Sequence, residues 1–323
     1  MRNSASPLIW TNNHDNMSTA VEHLFNSVTE TDGIMRHIGQ CWILAVLFLI
    51  GQISPSPLVA QEPVDDPSKD TKGALRLEFM RKTVDDMKIA STNTSDTREL
   101  KMKAQPILRY NDPTRSIADS ALWRIGTKGR PIAIVTSEVY GPATNNRFQI
   151  NHEFLALERP RFRLTCGQFL WAPPTETTLK FMPLETDLRP ADKPQLRLIQ
   201  MKRLSEKFTL REFHQNNEIQ LRTLPNPIDR YEPSDNPHSD GAIFAGVWGV
   251  NPEILLFIET DGQAWSYAFA RMGAAKLWAI LDDVEVWSVP NTSATGTNSY
   301  ALYPSPTIVP IEPFSSVDAD KKP

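Results

Sequence analysis

Residues 106–110 read PILRY, and residues 227–231 read PIDRY. The two stretches belong to a longer match, because a shift of 121 residues places residues 72–141 on residues 193–262 without a gap, with 15 of 70 positions identical. An internal match of this length predicts that the chain contains one structural unit twice. Matched positions then indicate what both units need, and unmatched positions are where a separate function can reside.

Each matched stretch begins with a helical pattern and continues with strand patterns. Apolar residues recur at helical spacing over residues 77–87 and 198–208. Hairpin patterns follow at residues 121–139 and 242–259, and the apolar run at 254–258 does not alternate, which predicts a strand covered on both faces. We therefore predict an α+β fold of two tandem repeats, each one helix followed by an antiparallel meander of about five or six strands, packed as a pseudo-two-fold pair.

The composition divides the chain into segments. Residues 1–34 hold one Arg against four acidic residues, so we interpret them as an over-extended N-terminus and Met35 as the true start. The other predicted segments are a signal peptide at 35–60, a flexible segment at 61–71, a first repeat at 72–174, a linker at 175–191, a second repeat at 192–290 and a disordered tail at 291–323.

Residues 35–60 have the three parts of a secretory signal. Arg36 is basic, residues 41–50 form an unbroken apolar run, and the small Ala60 stands at the exit. An apolar run of 10 residues is shorter than the ~20 residues that a membrane-spanning helix needs. We therefore expect cleavage near Ala60 and export to the periplasm or the extracellular space, with no stable membrane span.

The charge of the remaining chain bears on its partners. Residues 61–323 carry 32 basic and 34 acidic side chains, whereas proteins that bind nucleic acids present a strongly basic surface. We therefore expect no nucleic-acid partner, and an envelope glycan, a lipid or a protein stay open as partners.

The sequence contains no strong catalytic or cofactor-binding motif. It lacks a nucleotide-binding glycine loop, a zinc-protease HExxH motif, a CxxC pair and a GxSxG nucleophile elbow. The histidines after residue 60, His152, His214 and His238, have no cysteine or second histidine at ligand spacing. We therefore assign no catalytic residue, no cofactor and no metal site.

Six residues are candidates for ligand binding: Arg109, Asp119, Arg230, Asp240, Trp265 and Tyr267. Two pairs of acidic residues are matched, Asp119 with Asp240 and Glu138 with Glu259. Paired carboxylates can serve as the acid and base of a glycosidase. Because both copies keep them at the same hairpin, a structural role is favoured, in which the matched arginines are the natural ion-pair partners of the aspartates.

Trp265 and Tyr267 lie in a strand pattern in which aromatic and small residues alternate over residues 265–270. An aromatic face of this kind can stack on sugar rings or line a site for an apolar ligand. It can equally pack in a core, and the pattern does not distinguish these roles.

Several stretches resemble one family of bacterial proteins. They are LRLIQMKRLSEKF at 196–208, the run from LPNPIDRY to DGAIFA at 224–245, NPEILLFIE at 251–259, WSYAFARM at 265–272, a closing VW at 286–287, and, in the first half, LRYNDPTR at 108–115 and HEF at 152–154. These look like a family of secreted planctomycete proteins of uncharacterised function, over about residues 72–290. The resemblance implies an exported protein and assigns no functional residue.

These features together predict an exported, non-catalytic binding or structural module of the cell envelope or extracellular space. Two alternatives stay open. One is a hydrolase that acts on an extracytoplasmic polymer through carboxylates such as Asp240 and Glu259. The other is a carrier that holds a lipid or small apolar ligand between the two halves.

Overall fold

The computed structural model describes residues 67–92, 100–143, 147–158, 162–174 and 179–314. All of them belong to one compact unit, Asp65–Pro323. Strands make up 50% and helices 15% of these residues. The predicted over-extended N-terminus at 1–34 and the predicted signal peptide at 35–60 lie outside the described residues.

The predicted α+β repeat of one helix and one meander is wrong, and the protein is mostly β. The described chain forms 17 strands and three helices, and the strands lie in three sheets that include a curled half-barrel. The second half does not form a meander, because the strands at 208–214 and 217–223 lie between those at 276–281 and 240–248 in the nine-stranded sheet. The sheet of the first half in turn receives a strand from the C-terminal segment.

The helices are α1 (Pro67–Asp85), α2 (Pro194–Ser205) and the short α3 (Ile311–Phe314). A three-stranded sheet contains, in order, β1 (Lys88–Ser91), β6 (Phe162–Cys166) and β7 (Phe169–Trp171). A five-stranded sheet contains β17 (Tyr300–Val309), β5 (Arg147–Ala156), β4 (Ala133–Ala143), β3 (Ile117–Ile125) and β2 (Leu108–Asp112).

The nine-stranded sheet contains, in order, β16 (Val284–Val289), β15 (Lys276–Leu281), β9 (Phe208–His214), β10 (Asn217–Thr223), β12 (Asp240–Trp248), β13 (Asn251–Thr260), β14 (Trp265–Arg271) and β8 (Met182–Pro183). The ninth strand, β11 (Asp229–Tyr231), pairs with β12. Neighbouring strands are antiparallel, and the hairpins β3–β4 and β12–β13 form where the sequence predicts them.

The five-stranded and nine-stranded sheets share one apolar core. Ile117, Ile134 and Leu155 come from the first sheet, and Ile243 and Phe257 come from the second. We call this shared core the seam. A second core lies between the five-stranded sheet, α1 and the three-stranded sheet, and a third lies between the nine-stranded sheet and α2.

Strand β13 crosses the middle of the protein. All ten of its residues are buried. Leu255 and Phe257 point into the seam, whereas Ile254, Leu256 and Ile258 point into the core next to α2. The prediction of a strand covered on both faces is therefore confirmed, because burial on both faces removes the need for polar alternation.

The C-terminal segment, predicted to be a disordered tail at 291–323, contributes β17 and α3. Tyr300 pairs with Leu155 of β5, so β17 forms one edge of the five-stranded sheet. Proline is tolerated in edge strands, where an N–H group can face solvent. Pro304 and Pro306 weaken the strand pattern of this segment in the sequence, which explains why it resembles a disordered tail.

Candidate functional site

Arg76, Arg109 and Asp119 form the first aspartate cluster. The Asp119 carboxylate accepts hydrogen bonds from Arg76 Nε at 2.7 Å and from Arg109 Nε and Nη2 at 3.0 and 2.5 Å. Arg109 Nη2 also donates to the carbonyl of Gly73 at 2.8 Å. The bond to Asp119 raises the pKa of the Arg109 guanidinium. The expected ion pair is therefore present, and it joins α1 to strands β2 and β3.

Arg197, Arg230 and Asp240 form the second aspartate cluster, 121 residues further along the chain. Arg197 Nε donates to Asp240 at 2.9 Å, and Arg230 Nε and Nη2 donate to it at 2.9 and 2.5 Å. Arg230 Nη2 also donates to the carbonyl of Pro194 at 2.6 Å. The clusters differ in burial, because the Arg197 side chain is 3% exposed and that of Arg76 is 27% exposed.

The matched glutamates lie in the seam, each beside a matched tyrosine. Tyr110 donates to Glu138 at 2.6 Å, and Tyr231 donates to Glu259 at 2.6 Å. Arg130 also donates to both oxygens of Glu259, from Nε at 2.7 Å and from Nη2 at 2.6 Å. These carboxylates are therefore engaged by donors that tie neighbouring strands and the two sheets together.

Gly241 makes room for the ring of Tyr231. A Cβ atom at position 241 would lie 2.6 Å from Tyr231 Cε2, closer than such atoms can approach. We expect Gly241→Ala to displace the ring, to break the bond to Glu259 and to destabilise the protein by about 1–3 kcal/mol, the usual cost of overpacking. Thermal unfolding tests this. Gly73→Ala, whose added Cβ would lie no closer than 3.7 Å to Arg109, is the control, and an equal loss in both variants would contradict the expectation.

Four buried glutamates lie near one arginine: Glu138, Glu153, Glu212 and Glu253, with Arg115. We call these four the acid group. Arg115 Nη1 donates to Glu253 at 2.6 Å. Burial, and then the charge of Glu212, raise the pKa of Glu253 to about 8, against the opposing effect of Arg115. Burial also raises the pKa of Glu138, Glu153 and Glu212. Glu253 therefore holds its proton near neutral pH.

An open polar cleft lies beside the second aspartate cluster. Its volume is about 920 Å³. Residues 127–129 of the turn after β3, the loop at 232–239 and Pro194 at the start of α2 line it, together with Arg230 and Asp240. Two of the six candidate residues are therefore brought to one open site. Arg109 and Asp119 do not line it.

Arg124 lies in one wall of the cleft and holds neighbouring segments there by hydrogen bonds. It is buried, and it donates Nη1 to Asp229 at 2.5 Å and Nε to the carbonyl of Gly126 at 2.7 Å. Lys103 lies 3.3 Å from the same aspartate. Sequence reasoning missed these residues because the residue matched to Arg124 is Ala245. A signal was present, since an arginine within the apolar strand ALWRI requires a buried partner.

A smaller pocket of about 500 Å³ adjoins the cleft. Both are lined by Pro233, Ser234 and Ser239. Trp265 lines the smaller pocket, but its side chain is 3% exposed and its indole N–H donates to the carbonyl of Leu188 at 2.8 Å. Trp265 thus supports the pocket wall and presents little of its ring.

Tyr267 lies away from both pockets, in the core next to α2. Its ring centroid is 4.9 Å from that of Phe208 and 5.7 Å from that of Phe269. The aromatic face of β14 is therefore covered by other rings of the protein, which accounts for its pattern in the sequence by packing.

The histidines are dispersed. Burial lowers the pKa of His152 to about 4, and its Nδ1 lies 2.9 Å from Ser137 Oγ. In the ranges that the structure covers, no group of three or more His, Cys, Asp or Glu side chains is arranged to hold a metal ion.

None of the helices described above combines the length and the apolar character needed to cross a bilayer.

Comparisons with known proteins identify no relative of this chain. No protein-family model, no curated protein and no solved structure matches the chain. The resemblance to secreted planctomycete proteins accordingly stays a prediction.

Proposed function

We propose that this protein is an exported, non-catalytic binding module whose ligand occupies the polar cleft. The cleft itself carries this proposal: it is open, it is lined mainly by polar and charged side chains, and some of its cationic groups have hydrogen-bond donors to spare. Export rests on the signal pattern of residues 35–60.

The spare donors belong to Arg230 and Lys128. Arg230 uses Nε and Nη2 for Asp240 and Pro194, and its Nη1 has no partner among the described residues. Lys128 is exposed, and its ammonium group makes no ion pair within the same part of the chain. Charge-assisted hydrogen bonds from such groups favour a ligand that bears carboxylate, sulfate or phosphate groups.

The geometry does not favour the hydrolase alternative. A catalytic acid needs a proton to donate, and a base or nucleophile needs an oxygen free to act. Both oxygens of Asp240 accept from Arg230, and both oxygens of Glu259 accept from Arg130. These contacts favour a structural role for the two carboxylates.

The carrier alternative also has little support. Trp265, Tyr267 and Phe269, the proposed lining, are each less than 5% exposed and pack within a core. A ligand between the halves would have to displace that packing, whereas the polar cleft is open in the structure.

Reversing one cleft charge tests the proposal. The purified protein is screened for binding and for a rise in melting temperature with polygalacturonate, dextran sulfate, lipopolysaccharide and phosphatidylglycerol vesicles. We expect at least one of these probes to bind, and we expect Lys128→Glu to weaken that binding by about 10-fold or more, since a hydrogen bond to a charged group contributes about 1.5–3 kcal/mol.

Lys207→Glu is the matched control, because Lys207 is exposed and lies outside the cleft lining. Equal binding by the two variants, or no binding of any probe, would overturn the proposal. Release of reducing ends from a polymer by the unaltered protein would favour the hydrolase.

A further inference from the structure

We infer that the ligand of the cleft is an acidic polysaccharide, an inference that rests on the binding function proposed above. Its carboxylate or sulfate groups bind the cations of the cleft, and its hydroxyl groups bind the carboxylates. Two observations support this: the mixed charge of the lining and the position of the smaller pocket beside the cleft.

The lining of the cleft combines both signs of charge. The cationic residues are Lys103, Arg124, Lys128, Arg197 and Arg230, and the acidic residues are Glu232, Asp235 and Asp240. Asp240 is engaged by arginines, whereas Glu232 and Asp235 are exposed and make no ion pair with any residue that the structure describes.

Glu232 and Asp235 discriminate between classes of ligand. An ionised carboxylate only accepts hydrogen bonds, so a ligand seated beside it must bring donors. A simple polyanion such as polyphosphate brings further negative charge and no donor. A sugar chain with acidic groups brings hydroxyl donors for Glu232 and Asp235 and negative groups for Lys128 and Arg230. This complementarity favours an acidic sugar.

The dimensions favour a chain over a small anion. The cleft of about 920 Å³ and the pocket of about 500 Å³ lie side by side and share the lining residues Pro233, Ser234 and Ser239. The cleft alone is near the upper end of the range of about 300–1,000 Å³ that holds a drug-sized ligand. A chain of several sugar units can therefore follow the loop at 232–239 from one lobe into the other.

Chain length provides the test. Oligogalacturonates and sulfated dextran oligosaccharides of two and six units are titrated calorimetrically, with polyphosphate as the polyanion control. We expect the hexamer of at least one sugar series to bind about 10-fold or more tightly than its dimer, and polyphosphate to bind more weakly than the hexamer. The series that binds more tightly identifies the acidic group as carboxylate or sulfate.

Ala264→Trp blocks the second lobe. Ala264 is exposed and lines the smaller pocket, so a tryptophan there fills space that the long ligand needs. This variant should bind the hexamer about as tightly as the dimer, and it should bind the dimer as tightly as the unaltered protein does. Gln263→Trp, which adds the same ring at an exposed neighbour outside the lining, should behave like the unaltered protein.

Three outcomes would overturn the inference: equal affinity for dimer and hexamer, a length advantage that Ala264→Trp retains, or polyphosphate binding more tightly than both sugars. Binding of another probe that Lys128→Glu weakens would still support the binding function in each case. Absence of binding by every probe would overturn both proposals together.

Discussion

Raising the pH from about 5 to about 9 is expected to lower the melting temperature of this protein by about 10 °C. The expectation rests on the acid group, and on Glu253 above all. Burial raises the pKa of Glu253 from 4.5 to about 8. One pKa unit is worth about 1.4 kcal/mol, so the folded state loses a few kcal/mol over this range. Each kcal/mol changes the melting temperature of a domain of this size by about 2–4 °C.

The direction follows from the two protonation states. Well below pH 4.5, Glu253 is protonated in both the folded and the unfolded chain. Between that pH and about 8, the unfolded chain releases the proton while the folded chain keeps it, so rising pH favours unfolding. The stability is therefore fully present at acidic pH and is lost as the pH rises through about 8.

The surroundings of Glu253 agree with this direction. Glu212 and Glu138 raise its pKa, and Arg115 is the cation that opposes them. The Tyr110 hydroxyl lies 2.6 Å from Glu138 Oε1 and 2.7 Å from Asn251 Oδ1, yet it has one hydrogen to donate. Tyr110 donates that hydrogen to Glu138, which lowers the pKa of Glu138 against the larger, opposing effect of burial.

Glu253→Gln isolates the contribution of that carboxyl group. We expect the variant to lose much of the decline in melting temperature between about pH 5 and about pH 9, because glutamine does not ionise. Glu285→Gln, on the exposed side of β16, should keep the slope of the unaltered protein. A melting temperature that stays level or rises over this range in the unaltered protein would refute the expectation, as would identical slopes in the two variants.

Asp240→Asn is expected to destabilise the protein by about 3–5 kcal/mol, the usual cost of removing one partner of a buried ion pair. The Arg197 side chain is 3% exposed, so its charge would remain buried without its carboxylate. A loss of this size lowers the melting temperature by about 10 °C, which chemical or thermal denaturation measures directly.

The two aspartate clusters provide internal controls for this prediction. Asp119→Asn should cost less, because Arg76 and Arg109 are 27% and 32% exposed and can be hydrated. Asp235→Asn, an exposed change in the same cleft as Asp240, should leave the melting temperature nearly unchanged. Similar melting temperatures for the Asp235 and Asp240 variants would show that Asp240 is not a structural anchor, and would revive it as a candidate for catalysis.

The contacts that the sequence predicts well are those between matched residues. Arg109 and Asp119 lie on neighbouring strands, as do Arg230 and Asp240, and in both cases a short loop and a common register bring them together. The buried strand β13 is likewise visible as an uninterrupted apolar run. These features depend on local pattern and on short-range pairing, which a single sequence contains.

The arrangement of the sheets is not predictable from the same information. Strands β9 and β10 are inserted between β15 and β12, and β17 joins β5 from 147 residues away in the chain, as the bond from Tyr300 to Glu153 shows. Which edges pair depends on whole surfaces and not on the pattern of each strand. The predicted meander repeat fails for this reason.

The candidate cleft is predictable in part. Matching of the halves identifies Arg230 and Asp240, whereas Arg124 and Asp229 lie 105 residues apart at unmatched positions and meet only when the two sheets pack. The acid group is also hidden in the sequence, because Glu153, Glu212 and Glu253 each resemble an ordinary polar residue of a strand. Burial by the opposite sheet raises their pKa values. The sequence of one strand does not show which surface will cover it.

The C-terminal clasp, formed by β17 and α3, has a consequence for synthesis on the ribosome. Phe314 packs on Phe79 of α1 at 5.5 Å between ring centroids, and Arg76 donates to the carbonyl of Pro313 at 3.2 Å. The five-stranded sheet and the cover of α1 are therefore completed only by residues 300–314, which are translated after the strands of the second half. We therefore expect the first half of the described chain to reach its final packing only after residue 314 has been translated, because its sheet depends on a long-range strand pairing.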